Sequence, residues 1–181
     1  MISEMIPAET DNEKMCLTEI EMERLIDVYG DHLLRLCTLY LKDPFLAEDA
    51  LQDTFIQVWK KYGSFQGRSS QQTWLTRIAI NVCKNYLRSP WKARTDVKDL
   101  TELAGPGRNE FEQVDSHIDV MNAVLALKEK YRIVILLYYY EEYSVKEIAD
   151  ILSKKEGTVL SRLRRGRDSL HQLLEPKKGG D

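Results

Sequence analysis

Ser144-Val-Lys-Glu-Ile-Ala-Asp-Ile-Leu152, a turn of Ser153-Lys-Lys155, then Glu156-Gly-Thr-Val-Leu-Ser-Arg-Leu-Arg-Arg-Gly-Arg167: this stretch decides the fold. Ser144 and Glu147 stand three apart at the head of an apolar run, the pattern of a capping box, so a short helix opens there and runs through Leu152. A longer helix is expected from Glu156 to Leu174, stopped by Pro176. A short capped helix, a tight turn and a second helix have helix-turn-helix proportions. In that arrangement Ile148, Ala149 and Leu152 pack against Val159 and Leu163, with Ala149 small where the helices approach. The opposite face of the last helix carries Thr158, Ser161, Arg162, Arg165 and Ser169. Arginine reaches guanine edges bidentately, hydroxyls serve bases or phosphates, and a helix N-terminus favours a phosphate. Lys155, Thr158, Ser161, Arg162 and Arg165 are therefore the candidate duplex-reading residues, with Arg164 and Arg167 on the flank near the DNA backbone. The competing reading is a solvated basic helix. The capped helix and short turn ahead of an Arg-, Ser- and Thr-rich face weigh against it.

Working outward, two more helices precede this motif, over about His117–Lys128 and Lys130–Glu141. Tyr138-Tyr139-Tyr140 lies on the second, where core packing with one exposed ring is expected. Upstream, Ser89–Asp115 changes character: Pro90, charged residues, then Gly105-Pro106-Gly107 read as a linker, in which Trp91 and Leu100 are apolar enough to dock. Before it come three helices. The first spans Thr18–Leu41, with Leu25, Ile26, Tyr29, Leu33, Leu36, Cys37 and Tyr40 inward. The second is capped by Asp43-Pro44 and runs to about Tyr62, with Ala47, Ala50, Leu51, Thr54, Phe55 and Val58 inward. A loop over Gly63–Ser70 leads to the third, capped by Ser69 or Ser70 and ending near Arg88; Trp74, Leu75, Ile78, Ala79, Val82, Cys83, Tyr86 and Leu87 form its inner stripe. No alternating run bounded by hairpin turns suggests a strand. The fold class is all-α, with two helical domains: an acidic tail 1–17, a three-helix domain 18–89, a linker 90–115, a four-helix domain 116–175 and a tail 176–181.

Composition excludes several classes. The chain of 181 residues is 43% hydrophobic and 30% charged, as soluble proteins are. No apolar run reaches a membrane-spanning length, and the acidic N-terminus lacks the basic start of a signal peptide. Cys16, Cys37 and Cys83 are widely spaced without a CxxC pair, and the last two fall on apolar helix faces, as buried thiols do. His32, His117 and His171 have no metal-ligand spacing, so neither metal nor cofactor is expected. The net charge of −3 conceals an asymmetry: Met1–Arg24 holds seven acids and two bases, Lys154–Lys178 eight bases and three acids. A basic segment within an acidic protein still contacts phosphates.

The N-terminal domain offers two further surfaces. Asp49 and Asp53, with Glu48 and Gln52, share one exposed face of the second helix. No histidine or metal ligand accompanies them, so an acidic face for a basic protein partner fits better than acid–base catalysis. On the third helix Arg77, Asn81, Lys84, Asn85 and Arg88 form a polar stripe opposite the core. Asparagine hydrogen-bonds base edges and the cations hold phosphates. Tyr62, Phe65 and Trp74 stand near the loop before it, and aromatics beside cations suit unstacked bases, although Trp74 itself reads as core.

Three of these stretches, in this order, resemble a known family. Ala47-Glu-Asp-Ala-Leu-Gln-Asp-Thr-Phe-Ile-Gln-Val-Trp59 resembles region 2.2 of sigma factors. Phe65-Gln-Gly-Arg-Ser-Ser70 with Thr73-Trp-Leu-Thr-Arg-Ile-Ala-Ile-Asn-Val-Cys-Lys-Asn-Tyr-Leu87 resembles regions 2.3 and 2.4 of the extracytoplasmic-function (ECF) group, and Gly157–Arg167 its region 4.2. The resemblance covers about Leu25–Leu174. It implies a polymerase subunit, not an enzyme, that directs core RNA polymerase to promoters from the cytoplasm. Asp49, Gln52 and Asp53, with Phe55 and Trp59 nearby, would meet the clamp of core polymerase. Phe65, Arg68, Ser69, Arg77, Asn81, Lys84, Asn85 and Arg88 would hold promoter DNA at the minus-ten element, where unpaired bases flip out. The C-terminal helix would read the duplex minus-thirty-five element, with tethering to polymerase joining two weak DNA contacts. The family also implies a possible anti-sigma factor. The sequence departs from the family pattern at Leu160, where Lys or Arg is usual, and at Lys128, Ser153 and Lys154. The rival readings are a helix-turn-helix regulator that acts without replacing a sigma factor, and an all-helical enzyme, against which the lack of a nucleophile–base or metal constellation argues.

Overall fold

The computed structural model describes residues 17–88 and 113–175, with the side chains of 113–119 excepted. The expected acidic tail up to Cys16, most of the linker and the segment from Pro176 lie outside the described residues.

Each helix starts where its local chemistry satisfies free backbone donors. Helix α1 (Glu19–Leu41) opens on a reciprocal capping box: the Glu21 amide donates to Thr18 Oγ1 at 3.2 Å, and the Thr18 amide to Glu21 Oε2 at 2.8 Å. The sequence places the start here through periodicity and gives the box no weight. Helix α2 (Pro44–Lys61) is capped by Asp43, whose Oδ1 accepts from the amides of Phe45 and Leu46 at 3.0 and 3.1 Å, with proline at the first turn. A 3-10 turn, Tyr62–Ser64, leads into the loop. Helix α3 (Gln71–Arg88) follows Ser70, whose Oγ accepts from the Thr73 amide at 3.1 Å. Leu33, Leu36, Cys37, Ala47, Ala50, Val58, Leu75 and Ala79 interlock between these helices, all at most 1% exposed. The Cys37 and Cys83 sulfurs lie 3.4 Å apart inside this core.

The second module contains α4 (Gln113–Ala126), α5 (Glu129–Ile135), a π-helical segment Leu136–Tyr140, α6 (Val145–Leu152) and α7 (Glu156–Leu174). Helix α4 begins at Gln113, ahead of the expected His117. The helix expected over Lys130–Glu141 is instead α5 continued by the π segment, and this overturns one expectation. Tyr138, Tyr139 and Tyr140 are all exposed, at 38%, 54% and 44%. Ile133 to Leu137 fill the core positions consecutively, and the wider π turn carries the three rings outward together. Helix α6 has the predicted capping box, with Ser144 Oγ accepting from the Glu147 amide at 3.3 Å and the Ser144 amide donating to Glu147 Oε2 at 2.9 Å.

The two modules touch. Helix α3 is buried on two sides: Leu75, Ala79 and Val82 face α1 and α2, while Thr76 reaches the second module, its hydroxyl 3.0 Å from that of Tyr143. Arg132, 4% exposed, donates to the Tyr40 carbonyl at 2.9 Å and to the Leu125 and Leu127 carbonyls at 3.2 and 2.9 Å. The Tyr40 hydroxyl donates to Glu129 at 2.8 Å. A buried cation on three carbonyls is tolerated because a guanidinium has donors to match them.

Candidate nucleic-acid interface

The outer face of α7 is built on a tight inner seat. Val159, Leu163 and Gly166 point inward, and Ile148, Ala149 and Leu152 from α6 are buried with them as the sequence predicts. A Cβ on Gly166 would stand 3.0 Å from Ile135 Cγ1 and 3.6 Å from Tyr131 Cβ, so glycine lets α7 lie directly on α5. The turn between α6 and α7 puts Ser153 in the left-handed region at φ 52, and the Lys154 amide reaches back to the Ala149 carbonyl at 2.9 Å. That backbone angle favours glycine, so the serine at this position is a local cost.

From this seat Lys155, Ser161, Arg164, Arg165 and Arg167 project into solvent, and Thr158 and Arg162 are partly exposed. Ser161 Oγ donates to the Thr158 carbonyl at 2.9 Å, so this hydroxyl is engaged within its helix. Arg165 lies within hydrogen-bonding reach of the Tyr131 hydroxyl, and that contact draws the phenol below its ordinary range. Leu160, 53% exposed, interrupts the cationic row.

In the first module Asp49, Gln52 and Asp53 are exposed along α2. Asp53 accepts from the Tyr86 hydroxyl at 2.8 Å, and burial, followed by that bond, pushes the phenol up to about 12. Beside the acids lies an open groove of about 520 Å³, lined by Met22, Ile26, Leu51, Phe55, Ile56 and Trp59, with Gln52 and Lys60 at its edge. Trp59 is 47% exposed but Phe55 only 8%, so Phe55 forms the floor and Trp59 the rim. Ile26, expected in the core, is 43% exposed because it faces this groove across from α2.

The loop after α2 turns at Gly67, φ +64, leaving Arg68 exposed and Ser69 and Phe65 partly so. Phe65 and Trp74 have centroids 5.0 Å apart, and Tyr62 meets Trp74 edge-on at 6.0 Å. Trp74, predicted as core, is half-buried within this aromatic cluster. Along α3, Asn81, Asn85 and Arg88 are exposed. Arg77 and Lys84 are half-buried, so the polar stripe does not stand wholly opposite a core: its inner edge borders the second module. Burial, then the cations Lys154, Arg88 and Arg162, hold the Lys84 ammonium below the usual lysine range. The two basic faces thus approach each other at this junction.

An acidic apolar groove, an aromatic polar loop and a helix-turn-helix therefore occur on one all-helical chain. Two sequence profiles match it, Sigma-70 region 2 over residues 25–93 and Sigma-70 region 4 over residues 117–170. Over 165 residues the chain is 33% identical to the ECF RNA polymerase sigma factor SigW of Bacillus subtilis, spanning 83% of this chain and 87% of that protein. The chain belongs to the sigma-70 family. Over another 165-residue match it is 30% identical to the RNA polymerase sigma-H factor of Pseudomonas aeruginosa, spanning 84% and 85%. The sigma factor RpoE from Bartonella quintana, solved in complex with the anti-sigma factor NepR, superposes with a TM-score of 0.71 at 22% identity, covering 87% of this chain and 99% of that one. CnrH, solved with the cytosolic domain of CnrY, superposes at 0.63 and 20% identity, covering 89% and 92%. Both confirm the fold.

This ECF sigma factor is an alternative sigma factor that directs transcription initiation. Among the described residues no helix is long and apolar enough to cross a membrane. Sequence reasoning misses four contributors to its surfaces. Met22 and Ile56 line the groove, but helical periodicity cannot tell a core position from an exposed docking position. Tyr86 reads as core, and its hydroxyl partner Asp53 is 33 residues away. Tyr131 beside Arg165 carries no sequence signal at all.

Proposed function

We propose that the factor divides its work between three surfaces. Asp49, Gln52 and Asp53, with the groove floored by Phe55 and rimmed by Trp59, dock the basic coiled coil of the core polymerase clamp. Phe65, Arg68 and Ser69 in the loop, with Arg77, Asn81, Lys84, Asn85 and Arg88 on α3, hold unpaired bases and phosphates of the minus-ten element. Lys155, Thr158, Ser161, Arg162 and Arg165 read the duplex minus-thirty-five element. The first domain spans 18–89 and the second 116–175. The chain performs no catalysis of its own, acts in the cytoplasm and answers to an anti-sigma factor; the complex of its structural relative RpoE with the anti-sigma factor NepR supports that last point.

The observation that carries this reading is the opposed character of two exposed helices: carboxylates beside an apolar groove on α2, and guanidiniums on α7. Core polymerase reconstituted with the purified chain should start RNA synthesis at discrete sites on genomic fragments. In that system Asn81→Ala should impair open-complex formation more than polymerase binding. A chain that binds duplex DNA tightly alone and leaves start sites unchanged would instead be an independent regulator.

A further inference from the structure

The seam between the modules contains one contact unlike the others. Arg132 on the Tyr40 carbonyl, the Tyr40 hydroxyl on Glu129, and Thr76 with Tyr143 each use a donor that keeps its proton across the physiological range. A further contact joins an imidazole to a carboxyl. Glu141 Oε2 lies 2.5 Å from His32 Nε2, the Glu141 side chain has no solvent exposure, and His32 is 34% exposed. Among the described residues no other donor reaches either carboxyl oxygen.

The backbone puts Glu141 there. Its amide closes the π segment on the Leu136 carbonyl at 3.0 Å, and Glu142 turns back in the left-handed region at φ 57. This kink sends Glu142 outward and Glu141 inward against α1. A π turn and a positive φ at a non-glycine residue are local costs that commonly mark functional positions.

An oxygen and a nitrogen at this separation need a proton between them, because two bare lone pairs repel. The surroundings decide where that proton resides. Arg35 on α1 disfavours an imidazolium, Gln72 on α3 presents a neutral amide 3.5 Å from His32 Nε2, and Tyr143 lies beyond the carboxyl. Nothing there stabilises a carboxylate except His32 itself.

We propose that His32 and Glu141 share one proton as a latch that holds the two modules closed, and that the latch loosens as pH rises past neutrality. Burial holds the Glu141 carboxyl up to about 7, and burial with Arg35 holds His32 below its ordinary 6.5. For Glu141 alone the raised value means closure is favoured at low pH and weakens as pH rises through about 7. For His32 the lowered value opposes closure as pH falls below 6.5. With the modules apart, the Glu141 carboxyl ionises in its ordinary range and only the imidazole can carry the pair's proton; closed, the buried carboxyl holds it to about 7. Closure therefore retains a proton near neutrality, and above it a bare buried carboxylate loosens the seam.

The seam half-buries Arg77 and Lys84 and brings Lys154 and Arg162 near them. On the assignments proposed above, opening is what frees both DNA-reading faces.

Resonance energy transfer between dyes at exposed Glu48 and Arg167 of the full chain reads the closed-to-open ratio directly. That ratio should fall between about pH 6 and about pH 8.5. Glu141→Gln keeps the shape without the carboxyl's ionisation, so its ratio should not fall as pH rises from about 6 to about 8.5 and should exceed that of the natural chain at the alkaline end. Melting temperature supplies a second readout, with Glu141→Gln gaining on the natural chain at alkaline pH only. A natural chain whose ratio and relative melting temperature ignore pH overturns the latch, as does a Glu141→Gln variant that keeps the full response. Neither readout involves promoters, so the latch and the surface assignments fail separately.

Discussion

Helices α2 and α7 are built by the same rules and present opposite charges to solvent. Each has its N-terminus set by a turn, each buries one apolar stripe, and each offers the other side to solvent. On α2 that side is acidic and borders an open groove between two helices; on α7 it is cationic and stands on a seat with no spare room. The contrast teaches that the surfaces tolerate change differently. A groove rimmed by Trp59 and Ile56 can accept a partner by side-chain adjustment, whereas α7 is fixed at Gly166 by backbone approach to Ile135. Losses on α2 should follow charge and leave folding intact, and losses on the inner side of α7 should follow volume.

The largest expected effect tests the acidic side. Asp49→Lys with Asp53→Lys should lower affinity for core polymerase by about 3 kcal/mol or more, since like charges across an interface cost several kcal/mol. Thermal melting should change little, and co-purification with core polymerase reads the affinity. Arg165→Ala comes next, weakening use of the upstream promoter element by about 1–3 kcal/mol if the guanidinium reads a base bidentately. Transcription from paired templates with and without that element checks it. Gly166→Ala should destabilise the second module by about 1–2 kcal/mol through overpacking against Ile135. Denaturant unfolding measures this, and an unchanged midpoint would show that α5 gives way and that the contrast in rigidity is unfounded. The smallest effect is a gain: Ser153→Gly relieves the left-handed backbone and should stabilise the fold by about 1 kcal/mol, read as a raised melting temperature.

Much of this arrangement is legible in the residues. The Ser144–Glu147 capping box, Asp43-Pro44 and the Ile148, Ala149, Val159 and Leu163 packing set are local patterns, and local patterns survive folding. What escapes is decided by distant partners. Ile26 carries the same three- and four-residue spacing as Leu33, and only the position of α2 leaves it uncovered. Tyr138 to Tyr140 look like core because the spacing assumes 3.6 residues per turn, which the π segment breaks. Arg77 and Lys84 look like a free polar edge until the second module lies against them. The site was therefore readable as three separate surfaces, but the degree to which the folded chain covers one of them with another was not.

The close seat at Gly166 has a consequence for divergence among proteins of this type. Because α7 meets the Ile135 side chain so closely at Gly166, on the assignment proposed for this helix a new promoter preference is reached more readily by changing its outer face than by re-docking it. Such a change is written one side chain at a time on the outer rows, each judged alone against the DNA. Specificity can then drift in small independent steps while the frame that presents it stays constant.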